Sequence, residues 1–384
     1  MITVTDAKMA EICIACNYDV KAIAEKLRVE YPSYKVRPYR IESRIKSLRK
    51  KGTLPLDSGN YVSTGEVLKG SSTLYDEEGG IKLQWVKTDV EKQTMIDNIK
   101  ELVDTLVQEL PKFKKRDYKV THASSDLMAV YPLGDPHVGM KAYKEETGDD
   151  WDLKTSQEIF CGVFDRLVKT APSCKEAVIV NLGDYFHRDN TAGVTERNRH
   201  VLDTDGNYLM MVETGLKIMI QMIDSALEHH EKVRVITIIG NHDDTGAMFL
   251  QAALKHMYEK EPRVEIDCTA SVFQYFQHGD CFFGVHHGHT CKADKLPLVM
   301  ATDKPKQWGD SSFRYWLTGH IHHDSRKEYS GCSVESFRTL AAKDSYAYSG
   351  GYRAGQDSKA LVIHKKYGEV ERHTINIAQV LQNA

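Results

Sequence analysis

Five short stretches crowd carboxylates, imidazoles and an amide beside glycines: GDPH (134–137), GDYFHRD (183–189), GNHDD (240–244), HHGH (286–289) and GHIHH (319–323). Each follows an apolar run that reads as a strand: LMAVYPL, AVIVNL, VRVITII, CFFGV and RYWLT. Glycine lets the backbone turn sharply at such a point. In α/β sheets, ligands sit at strand ends. One D-x-H after a strand is an ordinary turn. Five polar strand ends in series point to a shared metal site. Carboxylate, imidazole and amide oxygen suit Mn²⁺, Fe²⁺ or Zn²⁺. The polar groups are too many for one ion but fit two that share a carboxylate, and paired ions ~3.5–4 Å apart clamp an in-line displacement at phosphorus.

The elements that position these groups begin near Asp126. From there strand-like runs alternate with amphipathic helices, the texture of an α/β domain. The final stretch, KALVIHKKYGEVERHTINI, reads as a hairpin around Tyr367 and Gly368 that completes a sheet. The loop bearing Tyr346, Tyr348, Tyr352 and Arg353 is expected to pack, with base stacking in a substrate cleft as the alternative.

The set GDPH, GDYF, GNHD, HG and GHIH, in that order, resembles the calcineurin-like metallophosphoesterase superfamily over roughly residues 126–340. The resemblance implies a two-sheet αββα sandwich with two divalent metals at one edge, Mn²⁺ first, with Fe²⁺, Zn²⁺, Mg²⁺ or Ni²⁺ as alternatives. It implies that Asp135, His137 and His322 hold one metal. Asp184 bridges, and Asn241, His320 and His287 hold the second, with His286 as the alternative to His287. His242 becomes the catalytic histidine, oriented by a hydrogen bond to Asp243. The chemistry implied is hydrolysis of a phosphate ester by a metal-bridged hydroxide, with His242 assisting the leaving group. His289 is expected to contact substrate.

The substrate is less defined. GNHD, rather than GNHE, resembles the phosphodiesterase and DNA-repair nuclease branch, and a DNA nuclease is the first reading. Arg188, Arg197 and Arg199 are candidate phosphate contacts there. GDYFHRDN is also similar to the GDYVDRG signature of Ser/Thr phosphatases, with Arg188 at the phosphate-gripping position, so a phosphomonoesterase is the second reading. GDPHVG and GNHD depart from the GDxHG and GNHE of that branch. A metal-dependent sensor fused to a DNA-binding unit is the third.

The front end has a different character. The 384 residues carry a net charge of −3, yet Lys35 to Lys51 holds eight basic residues against Glu42. Three helices are expected, over 5–17, 17–31 and 37–51, with Thr5 as an N-cap and Ile23, Ala24, Leu27, Ile41, Ile45 and Leu48 facing inward. This resembles a winged helix-turn-helix with residues 52–65 as the wing. Arg40, Arg44, Lys46 and Lys51 are the candidate DNA contacts. The expected division is 1–65 helix-turn-helix-like, 66–118 linker with short strands and an amphipathic helix, and 119–384 catalytic. An apolar stripe on the 89–110 helix hints at a homodimer. The 8 cysteines are scattered, as in a reducing compartment, and Cys13–x–x–Cys16 is read as helix packing. No apolar run approaches the ~20 residues of a membrane span. Partners are therefore expected to be DNA and no membrane. The layout resembles phage-encoded phosphoesterases, which places the protein in the bacterial cytoplasm, including that of a phage-infected host.

Overall fold

Continuous apolar strands demand cover on both faces. Val178 and Val180 alternate with Ala177 and Ile179 along one strand, and all four are fully buried. The computed structural model describes residues 4–16, 18–32, 37–50, 66–75, 81–90, 120, 123–195 and 201–381. The chain divides into two compact units, Met1–Glu101 and Leu102–Ala384.

In the first unit α1 (Asp6–Ala15), α2 (Val20–Glu30) and α3 (Pro38–Lys50) follow one another. The Thr5 hydroxyl accepts from Lys8 N at 3.3 Å and the Asp19 carboxylate from Ala22 N at 2.7 Å, so two helices begin on side-chain caps. Met9, Ile12, Cys13, Ile23, Leu27, Ile41, Ile45 and Leu48 form their common core. Ile14 of α1 is exposed. Strands β1 (Glu66–Tyr75) and β2 (Ile81–Val90) pair antiparallel as a separate hairpin. The expected wing (52–65), Lys51 and the helical stripe of 91–110 lie outside the described residues.

The second unit holds two sheets. One has six strands in the order β13-β12-β3-β4-β5-β6. These are β3 (Ser124–Leu133), β4 (Cys174–Asn181), β5 (Lys232–Thr237), β6 (Val264–Ile266), β12 (Asp357–His364) and β13 (Gly368–Asn376). β3 to β6 run parallel, and β12 joins β3 antiparallel. The other sheet has the order β10-β11-β9-β8-β7, built from β7 (Gln274–His278), β8 (Cys281–Val285), β9 (Phe313–Thr318), β10 (Ser325–Tyr329) and β11 (Cys332–Ser336). β8 and β9 are parallel.

The sheets pack face to face. Met128, Val130, Val178, Val180 and Ile236 from one meet Phe276, Phe283, Val285 and Leu317 from the other, each contributing about 1.5–3 kcal/mol of burial. Shorter helices are α4 (Lys144–Thr147), α8 (Leu296–Asp303), α9 (Pro305–Asp310), α10 (Ser345–Ser349) and α11 (Ala378–Leu381). The longer ones are α5 (Leu153–Thr170), α6 (Tyr208–His229) and α7 (Asp244–Met257). α5 contacts β12, β13 and α6, covering the six-stranded sheet. Leu296 and Met300 of α8 cover the other through Phe282, Trp316 and Val334. The architecture is the expected αββα sandwich, and the β12–β13 hairpin completes a sheet as its sequence suggested. No helix among the described residues is long and apolar enough to cross a membrane.

Candidate metal centre

The five polar stretches follow β3, β4, β5, β8 and β9. Three of these strands lie in one sheet and two in the other, with β6 and β7 intervening in sequence. The loops are stitched together by backbone bonds: His137 N to Asp184 O (2.9 Å), Ile238 N to Asn181 O (2.9 Å) and Gly319 N to His287 O (2.9 Å). Close approach requires glycine at two points. A Cβ on Gly240 would lie 2.1 Å from Asp184 Oδ1, and one on Gly319 would lie 2.8 Å from Asp135 Oδ2.

The backbone is strained where the chemistry is. Six described non-glycine residues have positive φ, and five of them are Asp135, His137, Asp184, His320 and His322. Such conformations cost of order 1–3 kcal/mol each and persist where the surroundings enforce them.

Their side chains converge in three overlapping groups, with ligand atoms inside each group within 4.8 Å of one another: Asp135, His137 and His322; Asp184, His287 and His320; and His137, His187 and His242. His137 Nε2 is 3.2 Å from His322 Nε2. His287 Nε2 is 3.2 Å from Asp184 Oδ2 and 3.1 Å from Asn241 Oδ1. His322 Nε2 lies 3.6 Å from Asp135 Oδ1. His287 joins this set, whereas His286 stacks on Phe273, with its Nδ1 at Gly288 N and its Nε2 at Thr290 Oγ1.

This donor set fits divalent cations. Asp135 and Asp184 are 0% and 1% exposed. Among the described residues their ion-pair partners are histidines, with no lysine or arginine in reach. Two bare carboxylates are costly to bury in this way. Burial pushes His137 well below the usual imidazole range, His187 down to about 3 and His320 down to about 4, so their rings are neutral with lone pairs available. Burial also works to lower His287, but Asp184 and Asp135 outweigh it and lift it to about 10. A cation beside these carboxylates would take over the compensation that this proton supplies.

Three expected roles meet a different geometry. Asp243 does not orient the His242 ring. Its buried carboxylate accepts from the amides of Asp184, Tyr185, Phe186 and Gly240, pinning two loops together. His242 Nδ1 instead faces the His187 carbonyl at 2.9 Å, and its amide donates to Asp184 Oδ1 at 2.8 Å. Arg188 is buried, and its guanidinium donates to Gly206 O at 3.0 Å, bracing the insertion that follows β4. Arg197 and Arg199 lie outside the described residues. On α3, Arg44 is bound to Val4 O (2.5 Å) and Asp6 (3.0 Å), which engages it within its own unit, whereas Lys46 is exposed. His289 does sit beside the site, its ring 5.2 Å from that of His287.

His187 was missed by the motif reading. Its Nδ1 is 3.3 Å from His137 Nδ1, and its ring stacks on His242 at 5.6 Å. The signal was its place three residues after Asp184 in GDYFH.

No protein-family model and no curated protein matches the chain. Solved structures do. A predicted phosphoesterase from Streptococcus pneumoniae is 11% identical, with TM-score 0.31, covering 66% of this chain and 92% of its own. An archaeal phosphodiesterase is 16% identical, TM-score 0.31, with coverage of 65% and 99%. A zinc-complexed Vps29 from Entamoeba histolytica is 14% identical, TM-score 0.29, with coverage of 65% and 99%. Identity and score are low in all three.

Proposed function

We propose that the protein is a dinuclear metal-dependent phosphodiesterase acting on nucleic acid, with DNA as the first substrate. The observation that carries this is the convergence of two buried carboxylates, Asn241 and the histidines of five strand ends on adjoining groups. Asp135, His137 and His322 would hold one ion and Asn241, His287 and His320 the other, with Asp184 shared. When bound, two such cations supply Lewis acidity toward phosphoryl oxygens and a water-derived nucleophile at neutral pH.

The chain's own part falls to His242. A carbonyl only accepts, so Nδ1 facing His187 O carries a proton. Nε2 is then the atom left to meet the leaving oxygen, and as an imidazolium it donates a proton there. His187 stacks on that ring and supplies the carbonyl that fixes its tilt. The basic face of α3, through Arg40 and Lys46, would contact phosphates of a polymer, consistent with a helix-turn-helix front end.

The test is incubation with end-labelled linear DNA, single- and double-stranded, in Mn²⁺, beside a His242→Ala control. Cleavage lost in the variant supports the reading. Absence of cleavage with retained hydrolysis of p-nitrophenyl phosphate would make the protein a phosphomonoesterase instead.

A further inference from the structure

Two loops leave the site and carry aromatic rings into solvent. One continues from His137 to Tyr143, six residues on. The other follows β11, where Thr339 bridges to Gly134 and its hydroxyl donates to Asp135 O at 2.7 Å. It then runs through buried Leu340, Ala341 and Ala342 to α10. The loops are joined by Lys343 to Asp149 (2.7 Å) and Ser345 to Glu146 (2.6 Å). A packed loop was the expectation for 346–353. Instead Tyr346, Tyr352, Tyr143 and Tyr348 are 71%, 58%, 54% and 42% exposed.

Exposure alone is common for tyrosine, but the arrangement here is not random. Tyr346 and Tyr352 stack at 6.3 Å with 28° between planes. The Arg353 guanidinium lies 4.4 Å over the Tyr348 ring, held by the carbonyls of Tyr348 and Tyr352. Lys141 Nζ is 5.5 Å over Tyr143. Flat rings interleaved with cations match a ligand with π-faces along an anionic backbone. Base pairing hides those faces in a duplex, so the matching ligand is single-stranded. Tyr143 and Tyr346 lie six and seven residues from His137 and Thr339, which keeps them within about 25 Å of those anchors.

We infer that Tyr346, Tyr348, Tyr352 and Arg353, with Tyr143 beside them, form a stacking platform for unpaired bases of a single strand whose backbone enters the metal centre. Its location rests on the phosphodiesterase reading, but binding is measured without turnover. The experiment is fluorescence anisotropy of a labelled thymidine hexanucleotide and of an abasic hexamer of equal charge. It uses the full chain in Mn²⁺ on a His242→Ala background, so that cleavage does not consume the probe. Tyr346→Ala/Tyr352→Ala should weaken hexanucleotide binding about tenfold or more, leave the abasic hexamer unchanged and remove the preference between them. A 4-thiothymidine hexamer should crosslink within 346–353. Equal hexanucleotide affinity in both proteins, with crosslinks only elsewhere, would overturn the inference. Hydrolysis of bis(p-nitrophenyl) phosphate by the wild-type chain in Mn²⁺ tests the phosphodiesterase reading separately. Its absence would count against that reading, while the binding result would still decide the platform.

Discussion

The two halves of the candidate centre are held in different ways. Asp135, His137, Asp184 and His287, from the ends of β3, β4 and β8, are at most 4% exposed. Backbone bonds fix them: His320 N to both Asp135 oxygens (2.8 and 2.9 Å) and His287 Nδ1 at Leu182 O (2.8 Å). His320 and His322 sit on a more open loop. That loop ends in Asp324, whose oxygens take Lys359 Nζ at 2.7 and 2.8 Å, with Arg338 Nε at 3.4 Å. Lys359 is 7% exposed on β12 of the opposite sheet and also reaches Asp357 at 3.0 Å. One half is thus built into its strands, while the other is tied across the gap between sheets by charge. Ion pairs like Lys359–Asp324, with one partner buried and the other exposed, add little net stability, because desolvation and screening offset their attraction. The role that remains for this one is to hold the loop in register with the buried half.

Three variants break or sharpen that contrast. The largest effect belongs to His242, which takes part in neither half of the ligand set. His242→Ala should lower kcat about 10²–10⁴-fold while Mn²⁺ still binds, as stopped-time assays and metal titration would show. Next is Lys359→Met. Loss of a supporting partner typically costs 10–100-fold in metal affinity, and the open loop offers His322 to one ion and His320 to the other, so calorimetry should show both Mn²⁺ equivalents weakened by about that factor. Lys359→Arg should recover part of it. Unchanged affinity for both equivalents would mean that charge does not hold the open loop, and would erase the distinction between the halves.

The smallest effect lies outside both. His230 is buried between Tyr131 Oη (2.9 Å) and the Cys174 backbone, and burial pushes it down to about 4. Its folded value is below the unfolded one near 6.5, so the unfolded chain binds the extra proton. The stability it contributes is intact above about pH 6.5 and is lost as pH falls toward about 4, by about 3 kcal/mol at the limit. The melting temperature should fall between pH 7 and 5, and His230→Phe should flatten that slope.

The strand ends were legible because apolar runs break abruptly at or close to Gly134, Gly183, Gly240, Gly288 and Gly319, a pattern that stability alone gives no reason for. The helices of the front end were legible from periodicity and the Thr5 cap. What sequence could not supply was partnership across distance. Asp243 follows His242 directly, which suggested a pair, yet three amides of the loop after β4 and one at the tip of β5 need an acceptor, and Asp243 takes them. Lys359 and Asp324 are 35 residues apart on different sheets, so nothing local links them. Arg188 matches a phosphate-gripping position by motif, but the insertion that follows it claims its guanidinium. The tyrosine loop reads as packing by composition, and only its three-dimensional course shows the rings left in solvent.

The most direct measurement is calorimetric titration of the metal-stripped protein with Mn²⁺, wild type beside Asp184→Asn. Two equivalents per chain in wild type, falling to one or none when the shared carboxylate is lost, is the expected result. A single equivalent in wild type, or two that survive Asp184→Asn unchanged, would contradict a dinuclear centre built around Asp184.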